Sequence, residues 1–140
     1  MAKVLVVYYS STGNTQAMAE AVAKGVTEAG GEVDLYSVSD VASLDLDAYD
    51  AYGLGCSAMG DEVLEEAEFE PFFNGLLPKL GDKKVVLFGS YGWGDGLWMR
   101  NWTEVCNQNG VNIAHDFVIA NDAPDEEALS NCKELGKALV

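Results

Sequence analysis

The chain has 140 residues, the size of a single domain, and nearly half of them are hydrophobic. No apolar run approaches the roughly 18–20 residues that span a membrane, and the short run at residues 4–9 makes no secretory signal, so a cytosolic protein is expected. A net charge of −15, from 8 basic and 23 acidic residues, repels nucleic acid and anionic membranes and favours basic protein partners.

The elements follow in chain order. Residues 3–9 form a continuous apolar run rich in β-branched and aromatic types, the pattern of a strand buried on both faces. Met18, Ala19, Val22, Ala23 and Val26 then recur at helical spacing, and Gly30 and Gly31 stop the helix. Residues 33–38 read as an edge strand, and residues 49–56 contain a third strand that ends in small residues. Phe69, Phe72, Phe73 and Leu76 mark a helix face, with Pro71 tolerated near its start. Residues 83–90 form a fourth, nearly all-apolar strand. Trp98, Trp102, Val105 and Cys106 mark a helix whose two tryptophans belong to the core. Residues 111–120 alternate Val111, Ile113, His115, Phe117 and Ile119 with more polar partners and read as one edge strand. Leu129, Cys132, Leu135 and Leu139 mark a last helix.

This alternation predicts an α/β fold in one domain over 1–140: a doubly wound, five-stranded parallel sheet with helices on both faces. Placing the three most apolar strands centrally gives the order 2-1-3-4-5. Ligands of such sheets bind beyond the carboxyl ends of the strands, where the order reverses.

Three loops lie at that end. The first, Ser10-Ser11-Thr12-Gly13-Asn14-Thr15, offers hydroxyls and backbone N–H groups at a helix N-terminus and suits one phosphate monoester. It lacks the lysine of a triphosphate loop and the glycine spacing of a dinucleotide site. An ordinary Ser/Thr-capped turn remains open. The second loop, residues 55–62, carries Ser57, Ala58, Met59, Gly60, Asp61 and Glu62. Met59 would contact an aromatic ring and Glu62 would accept from a ring N–H, although spacing alone favours a tight turn with a core methionine. The third, residues 89–96, carries Ser90, Tyr91, Gly92, Trp93 and Gly94 and holds four glycines in eight residues. Trp93 between glycines reads as a stacking surface rather than core filling. One phosphate loop beside two ring-sized walls predicts a phosphorylated planar heterocycle, FMN.

At these three loops the chain resembles the flavodoxins, and the resemblance covers essentially its whole length. The motifs are Ser-x-Thr-Gly-Asn-Thr at 10–15, Ser-Ala-Met-Gly-Asp-Glu at 57–62 and Gly-Ser-Tyr-Gly-Trp-Gly-Asp-Gly at 89–96. The last two are similar to the short-chain clostridial type, as is a fifth strand without an insertion. The resemblance implies that residues 10–15 bind phosphate and that Ser57 and Ser90 lie near the phosphate and ribityl chain. Met59 and Trp93 would cover the two ring faces, Glu62 would pair with the N3 edge, and Gly60 would sit at N5. Asn121 matches a position that approaches the flavin in relatives; Tyr91 lies where longer flavodoxins stack an aromatic, but Trp93 matches better.

The resemblance also implies an electron carrier shuttling between semiquinone and hydroquinone at low potential. The Gly60–Asp61 peptide would turn its carbonyl to accept the N5 hydrogen. Asp61, Glu62, Asp95 and Asp122 would oppose a second negative charge. Redox partners with basic patches and a monomeric state are expected. The alternatives are an FMN-dependent reductase and a flavodoxin-like activator of a partner enzyme. A phospho-receiver would need acidic residues where Tyr9, Ser10 and Cys56 stand, and a cysteine phosphatase would need an arginine close after Cys56. The cysteines Cys56, Cys106 and Cys132 are widely spaced and odd in number, which argues against a disulfide framework or a metal site. His115 is expected on the apolar face of the last strand, in a structural role.

Overall fold

The computed structural model of the chain describes residues 2–60 and 62–140. Strands β1 (Lys3–Tyr9), β2 (Glu32–Ser37), β3 (Ala51–Cys56) and β4 (Lys84–Tyr91) are joined by β5 (Asn112–Ile113) and β6 (Val118–Asn121). The sheet runs β2-β1-β3-β4, and both β5 and β6 pair with β4, all in parallel. The expected order 2-1-3-4-5 is therefore present, with the fifth position shared by two short strands.

That split corrects the single edge strand expected over residues 111–120. Ile113 lies opposite Val85 and Val118 opposite Phe88, so five steps along the edge match three along β4. Two extra residues are accommodated between β5 and β6, as in a β-bulge at a sheet edge. An even offset preserves the facing of side chains. Ile113, Phe117 and Ile119 accordingly pack on one face of the sheet and Val118 and Ala120 on the other. His115 falls in the interruption and is exposed, not on the apolar face, and its Nδ1 lies 3.0 Å from the Asp116 carbonyl oxygen.

Alternation along the central strands builds two cores. Val4 and Val6 of β1 and Val86 and Phe88 of β4 face helices α1 (Asn14–Glu28) and α4 (Glu126–Ala138). Leu5, Val7, Val85 and Leu87 face α2 (Phe69–Leu76) and α3 (Leu97–Gln108). Trp98 and Trp102 are buried in the second core, and Trp102 meets Phe69 and Phe73 edge-on. The three cysteines are buried and free, and burial pushes the Cys56 thiol up to about 12. On the other face α1 and α4 cross at backbone contact: a Cβ on Gly136 would stand 2.0 Å from the Val22 carbonyl oxygen.

The start of α2 is set by a side chain outside it. Glu65 is buried and accepts hydrogen bonds from the backbone N–H groups of Ala67, Glu68 and Phe69 at 2.7–2.8 Å. Burial disfavours its charge, but the three donors outweigh that and hold the carboxyl below its ordinary value. Among the described residues no helix is long and apolar enough to cross a membrane.

Candidate functional site

The carboxyl ends of β1, β3 and β4 are adjacent in the sheet, so the loops that follow them converge at one end. The first loop turns at Gly13, whose φ of 91° brings residue 14 into the helix. Its N–H donates to Ser10 Oγ at 3.0 Å. Among the described residues no side chain caps the N-cap position of α1, and no acidic residue stands in its first turn. Ser10 thus caps the turn that leads into α1, as the Ser/Thr-capped alternative expects, while the first N–H groups of the helix itself carry no side-chain cap among the described residues. Ser11, Thr12 and Gly13 are exposed, and Asn14 is half-buried.

Thr15 points inward and ties the three loops together. Its Oγ1 lies 2.7 Å from Ser57 Oγ, donates to Ser90 Oγ at 3.3 Å and accepts the Ser90 N–H at 3.1 Å. All three residues are buried. The Ser57 hydroxyl also donates to the Tyr9 carbonyl, and the Ala58 N–H donates to the Ser90 carbonyl. Three hydroxyls from three loops thus meet beneath the open end of α1.

In the second loop Met59 and Val63 exchange two backbone hydrogen bonds, of 2.9 and 3.0 Å, and close a tight hairpin. Met59 is half-buried at its base, not a core residue, and Gly60 is exposed at a φ of 46°. Asp61 lies outside the described residues. Glu62 also has a positive φ, 59°, and turns its side chain beneath the third loop. There Glu62 Oε1 accepts the Asp95 N–H at 2.9 Å. The contact requires a glycine at 94, because a Cβ there would lie 1.3 Å from Glu62 Oε1. Glu62 Oε2 is buried and has no hydrogen-bond partner among the described residues. A buried carboxylate oxygen left without a donor is costly and marks a place where a ligand donor fits.

In the third loop Trp93 is 64% exposed, with Gly92 and Gly94 exposed on either side. Tyr91 instead packs on Trp98, with ring centroids 5.5 Å apart. Asn121 ends β6 opposite Tyr91 and donates from its amide to the Tyr91 carbonyl at 3.4 Å. Asp122 follows with a φ of 56°, its N–H on the same carbonyl. The structure therefore brings residues 10–15, 57–60, 62, 90–94 and 121 to one end of the sheet. Sequence reading missed Arg100 on α3, which grips Asp95 through the Asp95 carbonyl at 2.8 Å and Asp95 Oδ1 at 3.0 Å. Its signal was its being the chain's one arginine.

A separate apolar cavity of 190 Å³ lies between α2 and α3, lined by Phe73, Trp98, Trp102 and Val105. It reaches this end through Glu62 and Val63 of the second loop, and none of residues 10–15 or 90–93 lines it.

The donor set fits a phosphorylated ring: an open helix end with hydroxyls for the phosphate, an exposed indole for a ring face, and an orphaned carboxylate oxygen for a ring N–H. Comparison with known proteins agrees. Residues 6–136 match the family model described as flavodoxin. A flavodoxin of Clostridium beijerinckii is 52% identical over 135 residues, covering 96% of this chain and 97% of that protein. The solution structure of two-electron-reduced Megasphaera elsdenii flavodoxin superposes with a TM-score of 0.87 at 45% identity, covering 97% of each chain. A quinone dehydrogenase of Methylocella silvestris is 34% identical over 100 residues, and this chain spans half of its length. The chain belongs to the flavodoxin family, whose members bind FMN and carry electrons between redox partners.

Proposed function

We propose that this chain holds one non-covalent FMN across the three loops and works as a low-potential one-electron carrier. The observation that carries the reading is the junction of the loops: Thr15 hydrogen-bonded to Ser57 and Ser90, and Asp95 N–H on Glu62. It fixes the phosphate end and the ring end relative to each other.

In this reading Ser10, Ser11, Thr12, Gly13, Asn14 and Thr15 hold the phosphate through hydroxyls and the N–H groups that open α1. Ser57 and Ser90 sit along the ribityl chain. Met59 covers one ring face with a polarisable thioether, and Trp93 stacks on the other. Glu62 Oε2 accepts the N–H of the pyrimidine edge, which removes the unpaired acceptor described above. Ala58, Tyr91, Gly92, Gly94 and Asn121 supply backbone and edge contacts. Gly60 lets the 60–61 peptide turn toward N5, since glycine adopts both signs of φ at little cost. Asp61 shares that peptide.

When bound, the cofactor supplies reversible one-electron chemistry. The chain's own contribution is charge. Residues 10–15 contain no lysine or arginine, so the phosphate keeps its charge. Glu62 adds a carboxylate near the ring, and Asp95 adds one whose charge is partly offset by its ion pair with Arg100. A carboxylate at ~10 Å and an effective dielectric of ~20 opposes a new negative charge by about 1–2 kcal/mol, less for the exposed Asp95. About 1.4 kcal/mol corresponds to about 60 mV for one electron. The second electron should therefore enter at low potential, and the working cycle runs between the one- and two-electron-reduced states. Diffusing partners with basic patches complement the −15 charge, and a monomer suits such encounters.

The test is binding to FMN-free protein. FMN should bind far more tightly than riboflavin, which lacks the phosphate, and should quench Trp93 fluorescence. Equal affinity for the two would remove the phosphate role of residues 10–15.

A further inference from the structure

We propose that Arg100 is a positioning residue for the cofactor site: its guanidinium clamps Asp95 so that the Asp95 N–H holds Glu62 with Oε2 toward the ring. The inference rests on the reading above that Glu62 faces the ring edge.

Three observations join here. Arg100 donates from Nη1 to the Asp95 carbonyl at 2.8 Å and from Nη2 to Asp95 Oδ1 at 3.0 Å. The Asp95 N–H donates to Glu62 Oε1 at 2.9 Å. Glu62 Oε2, on the other side of that carboxylate, is buried and without a partner among the described residues. The connected groups therefore run from α3 through the third loop into the second.

The third loop needs such a clamp. Gly92, Gly94 and Gly96 surround Trp93 and Asp95, and Gly94 and Gly96 both have positive φ. A loop so rich in glycine loses much conformational freedom when ordered. Arg100 starts from a rigid helix, and its planar fork fixes two acceptors of one residue at once. Charge alone would do little, because the side chains are 50% and 80% exposed. The geometric claim is that the fork matters more than the charge. A lysine carries the charge without the fork, which separates the two.

The experiment compares Arg100→Lys and Arg100→Ala with the unmodified chain. In FMN-free protein, both substitutions should speed hydrogen exchange of the Asp95 amide by about threefold or more. In reconstituted protein, both should weaken FMN binding about three- to fivefold, the upper part of the range of one exposed charge-assisted contact. In a Glu62→Ala background, loss of Arg100 should change FMN affinity less than about twofold, because its effect passes through Glu62. Arg100→Lys behaving like the unmodified chain would overturn the proposal in favour of a pure charge effect. So would an undiminished loss in the Glu62→Ala background. Glu62→Ala alone with unchanged FMN affinity would instead overturn the ring-edge role of Glu62, while Asp95 exchange would still decide whether the clamp exists.

Discussion

Thr15→Val tests whether the junction of the three loops is as central as its geometry implies. Valine matches threonine in shape, so no cavity opens, but it removes the acceptor of the buried Ser90 N–H. An orphaned buried N–H costs about 1–3 kcal/mol, and loss of the 2.7 Å bond to Ser57 adds about 1 kcal/mol. Ser57 keeps a second partner in the Tyr9 carbonyl, which limits its share. The expected loss is about 2–4 kcal/mol, a large fraction of the 5–15 kcal/mol typical of a domain. Urea unfolding of FMN-free protein should show the midpoint falling by about 1–2 M with an unchanged slope. Thr15→Ser keeps the hydroxyl and should lose less than about 1.5 kcal/mol, most of it the methyl group. Equal stability of the Val and Ser variants would refute the reasoning, since the hydroxyl would then hold nothing.

Other predictions follow from the same geometry. Glu65 has a depressed carboxyl, so its stabilisation is present above 4.5 and is lost as pH falls through its folded value. The stability gap between the unmodified chain and Glu65→Gln, about 1–2 kcal/mol at neutral pH, should close in acid melts; a constant gap would contradict this. Gly136→Ala should cost more than about 2 kcal/mol despite the better helix propensity of alanine, because its Cβ meets the Val22 carbonyl at 2.0 Å. Thermal unfolding checks this, and a raised midpoint would show that α1 and α4 separate freely. Trp93→Ala should leave FMN-free stability unchanged within about 0.5 kcal/mol, since the indole is largely exposed, yet weaken FMN binding about tenfold.

Sheet order was legible because hydrophobic continuity is a direct signal of two-sided burial: Val4–Val7 and Val85–Phe88 face helices on both sides. Gly30 and Gly31 signal the end of α1, and apolar spacing signals the presence of α2 and α4. The interruption at Ala114–Phe117 was not, since two extra residues leave the alternation of Ile113, Phe117 and Ile119 intact. Exposure of His115 followed from that hidden offset. At the site, residue types announced the loops, and Trp93 between glycines signalled an exposed ring. The links between loops were invisible. Thr15 to Ser90 spans 75 positions and Glu62 to Asp95 spans 33, and no local pattern encodes such pairs. Nothing local in the sequence indicates that the Arg100 fork turns back to Asp95, five positions earlier.

The most direct measurement is a spectroelectrochemical titration of the FMN-reconstituted chain. Two well-separated one-electron steps are expected, with a blue one-electron-reduced form between them and the second step at the lower potential. Glu62→Gln with Asp95→Asn should raise the second potential by about 60 mV or more. A single two-electron wave, or a second potential unmoved by removing both carboxylates, would contradict this expectation.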